Sequence, residues 1–259
     1  MSKPLTESIL ERLTMQGLTT FLGDGEKSEC VAFPGASSVL CHEPVTDLNY
    51  VVAGHGANQG DRFRTLCRSA LSHKLPFLAI VFPEAGERTG KIAEELGLVY
   101  AVDFPIMVRE DSPIETAGSE EVEIRRSSGM AGAADCARVL AVAFSMPEES
   151  VLRALPPSLT ESPAIDVYLA YEGDRAVGSV TLTHHGDTTG VWAMGTDTSL
   201  QKRGIGRRLL SSVMAEAHAG GTRRFFLGAT PAGYRLYESL GFQTRCVTKV
   251  YAAGETSQG

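Results

Sequence analysis

No stretch of the chain approaches the run of about 18 consecutive apolar residues that a membrane-spanning helix needs. The opening MSKPLTESILERLTMQ lacks the basic-then-apolar order of a secretory signal, so a cytoplasmic location without a membrane partner is expected. Cysteine is sparse: Cys30, Cys41, Cys67, Cys136 and Cys246 are odd in number, widely spaced and without a C-x-x-C pair. That argues against a disulfide framework and against a zinc site; the thiols read as reduced and mostly buried, and no metal is expected. A basic excess is also missing. Residues 1–118 hold 16 acidic and 10 basic side chains, a balance of −6, and residues 119–259 hold 15 and 14, a balance of −1, within a total of −7. Such charge does not suit a nucleic-acid partner. It could draw in a cationic small molecule, although solubility is the plainer reading.

What is present is a chain of 259 residues, 43% hydrophobic and 21% charged, enough for one large core or two of ordinary size. The polar stretch EDSPIETAGSEE (110–121), with Pro113, Gly118 and no period, is the expected linker between domains 1–118 and 119–259. After it, VEIRRS (122–127) reads as a strand, and 134–144 and 147–155 as helices, the second with Pro147 at its start. A three-strand meander comes next, over 165–172, 176–184 and 190–196, with turns at Gly173-Asp174 and His185-Gly186-Asp187. A helix ending at Gly220-Gly221, a strand at 224–229, a helix at 233–240 and a strand at 242–252 complete the order. Residues 55–108 repeat the last part: helix 55–74, strand 77–82, helix 84–96, Gly97, strand 98–108, with EELGL (94–98) echoing ESLGF (238–242). Two diverged copies of one α/β unit are inferred.

QKRGIGRRLL (201–210) sets Gly204 and Gly206 among four cations at a helix start, where each glycine costs about 1 kcal/mol relative to alanine. Free amides and the positive dipole end make such a start an anion site, and the missing β-carbons let a phosphate approach. Ile205, Leu209, Val213 and Ala217 recur every four residues as the buried face. For an isolated G-x-G, close helix–sheet packing beneath a solvated basic face would be the preferred reading. A P-loop is absent, and the dinucleotide fingerprint fails because its third glycine position is Leu209.

The pattern Q/R-x-x-G-x-G/A after a meander strand, with Gln201, Gly204 and Gly206 in place, resembles the GNAT (Gcn5-related N-acetyltransferase) superfamily. LYESLGF (236–242) matches that family's L-Y-x-x-x-G-F element. The resemblance covers 122 to 252 and implies an α/β (α+β) fold of two GNAT-like domains, each a mixed, mostly antiparallel twisted sheet flanked by helices. Domain 119–259 would be catalytic, and domain 1–118 a degenerate copy serving the acceptor side or structure alone. It implies acetyl-CoA as donor, an amine of a small molecule or peptide as acceptor, and direct attack in a ternary complex. Carried over by position, Met194, Gly195 and Thr196 would line the acyl end and Lys202, Arg203, Gly204, Ile205, Gly206 and Arg207 would receive the pyrophosphate. Tyr237 matches the family's general acid, and Thr230 stands where related enzymes often use an asparagine toward the cofactor.

The general base stays open. His184 and His185 fall in an expected turn, Asp197 reads better as a helix cap, and GVWAMGT lacks the glutamate many relatives carry. A non-catalytic acyl-CoA sensor or partner-binding module is the alternative, with O-acetylation a weaker third reading. A homodimer is an open expectation.

Overall fold

Thr6 opens the first helix, its hydroxyl accepting the Ile9 amide at 3.4 Å, and Leu10, Leu13, Leu18 and Phe21 recur at helical spacing as its buried face. The structure, a computed structural model, describes residues 5–119 and 121–253. In chain order the elements are α1 (Glu7–Leu22), β1 (Glu29–Phe33), β2 (Ala36–Leu40), β3 (Asn49–Ala53), α2 (Gln59–Ser72), β4 (Phe77–Val81), α3 (Gly86–Glu95) and β5 (Val99–Arg109). Then come β6 (Glu123–Arg126), α4 (Gly129–Phe144), α5 (Glu148–Ala154), β7 (Ile165–Glu172), β8 (Arg175–His185) and β9 (Thr188–Thr196). The chain continues with α6 (Ile205–Ala219), β10 (Arg224–Gly228), α7 (Tyr234–Ser239) and β11 (Gln243–Ala253).

Two compact units form. One takes residues up to Ile106, Gly228–Thr230 and those from Thr244 on; the other takes Met107–Leu227 and Pro231–Gln243. In the first, β1, β2 and β3 pair antiparallel, β4 lies parallel to β3, and β11 runs antiparallel to β4 with Lys249 opposite Val81 and Ala253 opposite Phe77. The strand read from sequence as closing the second half therefore completes the first unit's sheet. A period-two pattern specifies two faces but not which edge a strand will join. Phe63 and Phe77 are fully buried in this core, at about 1.5–3 kcal/mol each.

In the second unit, β6 to β9 pair antiparallel in succession and β10 lies parallel to β9. Of the pairings described, β3–β4 and β9–β10 are parallel and the others antiparallel. Successive residues of β8 show the two faces: a Cβ on Gly178 would lie 3.4 Å from Ile205 and Leu209 of α6, while the Ser179 hydroxyl meets Cys136 of α4 at 3.4 Å.

The expected linker has no helix or strand, but it is not loose. It runs along α6, where Asp111 meets His218 at 2.8 Å, the Ala117 amide donates to the Ser211 hydroxyl at 3.0 Å, and the Ser119 amide donates to the Gly204 carbonyl at 3.3 Å. Glu120, within the expected linker, lies outside the described residues. Polar composition signals the lack of a regular element; side chains on a neighbouring helix can still satisfy the backbone. His185, expected in a turn, belongs to β8, and the turn is Gly186-Asp187 with Gly186 at φ 65°.

Among the described residues, no helix is long and apolar enough to cross a membrane, and no group of three or more His, Cys, Asp or Glu could hold a metal ion.

Candidate active site

β9 and β10 pair only at Thr188–Arg224, Thr189–Phe225 and Gly190–Phe226, after which β9 runs on for six residues, Val191 to Thr196. The corresponding parallel pair in the first unit behaves otherwise. β3 and β4 stay in register through Ala53–Val81, and the Phe82 amide extends the ladder to the Ala53 carbonyl at 2.9 Å. An opening between parallel strands, with backbone donors and acceptors along its walls, is therefore found in the second unit at the strand the sequence marks.

Within that opening β9 carries a bulge. Thr181 faces Trp192 and Ser179 faces Gly195, so Ala193 and Met194 together oppose Val180. Ala193 adopts φ 44°, a left-handed conformation costing roughly 1–2 kcal/mol for a residue with a β-carbon. The bulge re-aims the next three residues. Gly195 turns to α4, where a Cβ would fall 2.7 Å from that of Ala143. Met194 and Thr196 turn to α6, their Cε and Oγ1 lying 3.2 and 3.4 Å from where Gly206 would carry a Cβ.

The turn into α6 begins at Asp197, which is buried. Its carboxylate accepts the Ser199 hydroxyl at 2.6 Å and the Ser199 amide at 2.9 Å, and pairs with Arg175. The Ser199 hydroxyl, then the backbone amide and Arg175, hold the Asp197 carboxyl below the usual range. Asp197 therefore caps the short turn Thr198–Leu200 rather than α6 itself. Gln201 and Lys202 are exposed, and Lys202 at φ 65° carries no ion pair among the described residues. The N-cap of α6 is Gly204 at φ 84°, and a Cβ there would sit 3.2 Å from the Ser119 amide. Cap geometry and the 118–119 segment crossing it already require a glycine here. Gly206, facing Met194, Thr196 and Leu236, is the glycine that keeps the helix mouth open toward β9.

The first hydrogen bond into α6 is from the Arg208 amide to the Gly204 carbonyl at 3.0 Å. The amides of Ile205, Gly206 and Arg207 precede it and donate to no group among the described residues. Three free amides at the dipole's positive end of a 15-residue helix can donate to an anion. The four expected cations contribute unequally: Arg203 is held by Glu121 and Glu172 at 2.8 and 2.7 Å, and Arg207 donates to the Ser239 hydroxyl at 2.6 Å. Pairing of Arg203 with two carboxylates was not legible, because Glu172 lies on a strand 31 positions away.

Tyr237 is buried on α7, its ring edge-on to Phe242 with centroids 6.0 Å apart. Burial pushes its phenol up to about 12, and the hydroxyl makes no hydrogen bond to a described residue. The ring lies on Gly233, where a Cβ would come within 2.7 Å of Cε2. That supporting glycine was missed in the sequence, since φ −85° gives it no turn signature. Thr230 is exposed and falls in the first unit, on the chain leading to α7.

The base candidates separate. His184 is engaged with Asp166 at 2.8 Å and Thr189 at 3.2 Å, and Asp166 also pairs with Arg126. His185 meets the Thr183 hydroxyl at 3.2 Å, and burial lowers its basicity. With Asp197 committed to its cap, none of the three is a free base poised beside the opening.

Residues 163–244 match the family model described as an acetyltransferase (GNAT) domain. No curated protein matches the sequence. Among solved structures, a GCN5-related N-acetyltransferase from Kribbella flavida shares 16% identity and a TM-score of 0.71, over 99% of this chain and 98% of that one. One from Sphaerobacter thermophilus gives 15% and 0.62, over 85% and 76%. A tandem GNAT protein from the clavulanic acid biosynthesis pathway gives 10% and 0.55, over 98% of both chains. At these identities the likeness is one of fold. The strand opening and the free-amide helix start both fall within the segment, 163–244, that matches the GNAT acetyltransferase model.

Proposed function

We propose that the chain moves an acetyl group from acetyl-CoA to a primary amine of a small molecule or peptide, by direct attack while both are bound. The observation that carries this is the early end of the β9–β10 ladder at Gly190–Phe226, with the free amides of Ile205, Gly206 and Arg207 on the next helix. The donor supplies an activated thioester. Met194, Gly195 and Thr196 would line its acyl end along β9, where an unpaired amide can stabilise the oxyanion that develops. Gln201, Lys202, Arg203, Gly204, Ile205, Gly206 and Arg207 form the pyrophosphate side, the amides doing most of the holding because Arg203 is neutralised by two carboxylates. Thr230 would contact the cofactor. Tyr237 would protonate the departing thiolate, its unpartnered hydroxyl leaving the proton uncommitted. With His184, His185 and Asp197 engaged elsewhere, water would take the acceptor's proton.

We assign transfer to the domain read as 119–259 and a structural or acceptor-side role to 1–118. The closed β3–β4 pair supports this, as does Asp61 in the first turn of α2, which sets a carboxylate where a phosphate would lie. The test supplies acetyl-CoA and measures free thiol against amino acids, polyamines and aminoglycosides. Amine-dependent thiol release supports transfer. Binding without turnover across the panel would favour a sensor, and release only with hydroxyl acceptors would favour O-acetylation.

A further inference from the structure

The first unit holds a pocket of about 420 Å³ between α3, the end of β4 and β11, within the size range of small-molecule sites. Its floor is apolar, made by Val81, Phe82 and the ring of Tyr251. Its walls carry two charges of each sign: Glu87, Lys91 and Glu94 from α3, and Lys249 from β11. Glu87 and Lys91 are four apart on one helix and Lys91 and Glu94 three apart, spacings at which opposite charges ordinarily pair. All four are exposed at the rim of the pocket, and none forms an ion pair among the described residues. Tyr251 supplies a second, independent sign. Its side chain is 3% exposed, yet its hydroxyl has no hydrogen-bond partner among the described residues. The hydroxyl reaches the pocket wall at Gly90, where a Cβ would come within 2.7 Å of it, and Tyr100 steadies the ring edge-on at 5.9 Å. The ring is buried while the hydroxyl opens into the pocket, where it can both donate to and accept from a bound molecule.

We propose that this pocket binds a small zwitterion, a molecule bearing both an ammonium and a carboxylate, such as an amino acid or short peptide. Walls with two charges of each sign give a simple cation or anion as much repulsion as attraction, whereas a molecule carrying both groups can satisfy each pair. The ammonium belongs toward Glu87 and Glu94 with the Tyr251 hydroxyl, and the carboxylate toward Lys91 and Lys249. This site is separate from the acetyl-transfer reading, since every group in it lies in the first unit.

The probes are glycylglycine, N-acetylglycylglycine, which lacks the ammonium, and glycylglycinamide, which lacks the carboxylate, titrated by calorimetry into the full chain without acetyl-CoA. Glycylglycine should bind saturably, and each blocked probe should bind at least about tenfold more weakly, the loss of one charge-assisted contact. Lys249→Glu and Tyr251→Phe should each weaken glycylglycine, and Gly206→Glu should leave its binding unchanged. No saturable binding, equal binding of the three probes, or a loss caused by Gly206→Glu but not by Lys249→Glu would each overturn the proposal. None of these outcomes depends on whether acetyl transfer occurs.

Discussion

Replacing Tyr237 by Phe removes one hydroxyl and leaves the ring on Gly233 and against Phe242. Because that hydroxyl bonds to no described residue, its loss should leave stability within about 0.5 kcal/mol of the parent, the range of substitutions that disturb no packed or paired group. The kinetic effect should be much larger. A phenol held at about 12 faces a thiolate whose conjugate acid titrates near 8.5 in water, a mismatch of about 5 kcal/mol that desolvation of the thiolate must largely close. Within the closed site the phenol is still the better placed donor, and loss of a positioned acid lowers turnover by about 10²- to 10⁴-fold. The assay is thiol release at saturating acceptor, with single-turnover measurement to separate chemistry from product release. Acetyl-CoA affinity should stay near the parent value. An unchanged single-turnover rate would remove Tyr237 from the mechanism; a fall matched by lost stability would reassign it to packing. Since burial keeps the phenol protonated beyond pH of about 10, its ionisation should cause no alkaline fall in kcat below that point.

Gly233→Ala should reproduce much of that defect by displacing the ring, because its φ of −85° suits alanine and the clash with Tyr237 is the sole change; a variant as active as the parent would show the ring is not held there. Asp197→Asn should lower stability at neutral pH by weakening the cap and the Arg175 pair. Its folded pKa is depressed, so that stabilisation is present above the unfolded value of about 3.9 and is lost as pH falls through the folded one. Parent and variant melting curves should therefore converge in acid, and a gap independent of pH would contradict the assignment.

The meander was legible almost residue by residue, because glycine turns at Gly173 and Gly186 punctuate β7, β8 and β9, which are buried along most of their length. The helix start at Gly204–Gly206 was legible as a helix start, and only Gly206 of the two glycines faces the strand. Gly204 answers to its own left-handed cap and to a segment 85 positions earlier in the chain, which no local pattern announces. The bulge at Ala193 was hidden for a similar reason: alanine gives no sign of a positive φ, which is imposed by the ladder on either side. No element is legible in residues 1–54, although α1 and β1 to β3 form there. The three strands are five residues each, too short for a period to stand out, and β2 is buried along its whole length. β11 was legible as a strand, but its partner β4 was not, since tertiary pairing fixes it.

The central claim is that one acetyl-CoA binds per chain, in the second unit, at the opening of β9 and the start of α6. Calorimetric titration of the parent and of Gly206→Glu tests it most directly. The substitution sets a side chain and a negative charge against Met194 and Thr196 at the cradle's mouth, while Glu at that second helical position suits the dipole and should leave the fold intact. The account predicts a stoichiometry of one for the parent and no measurable binding for the folded variant. A stoichiometry of two, or parent-like affinity in Gly206→Glu, would contradict it.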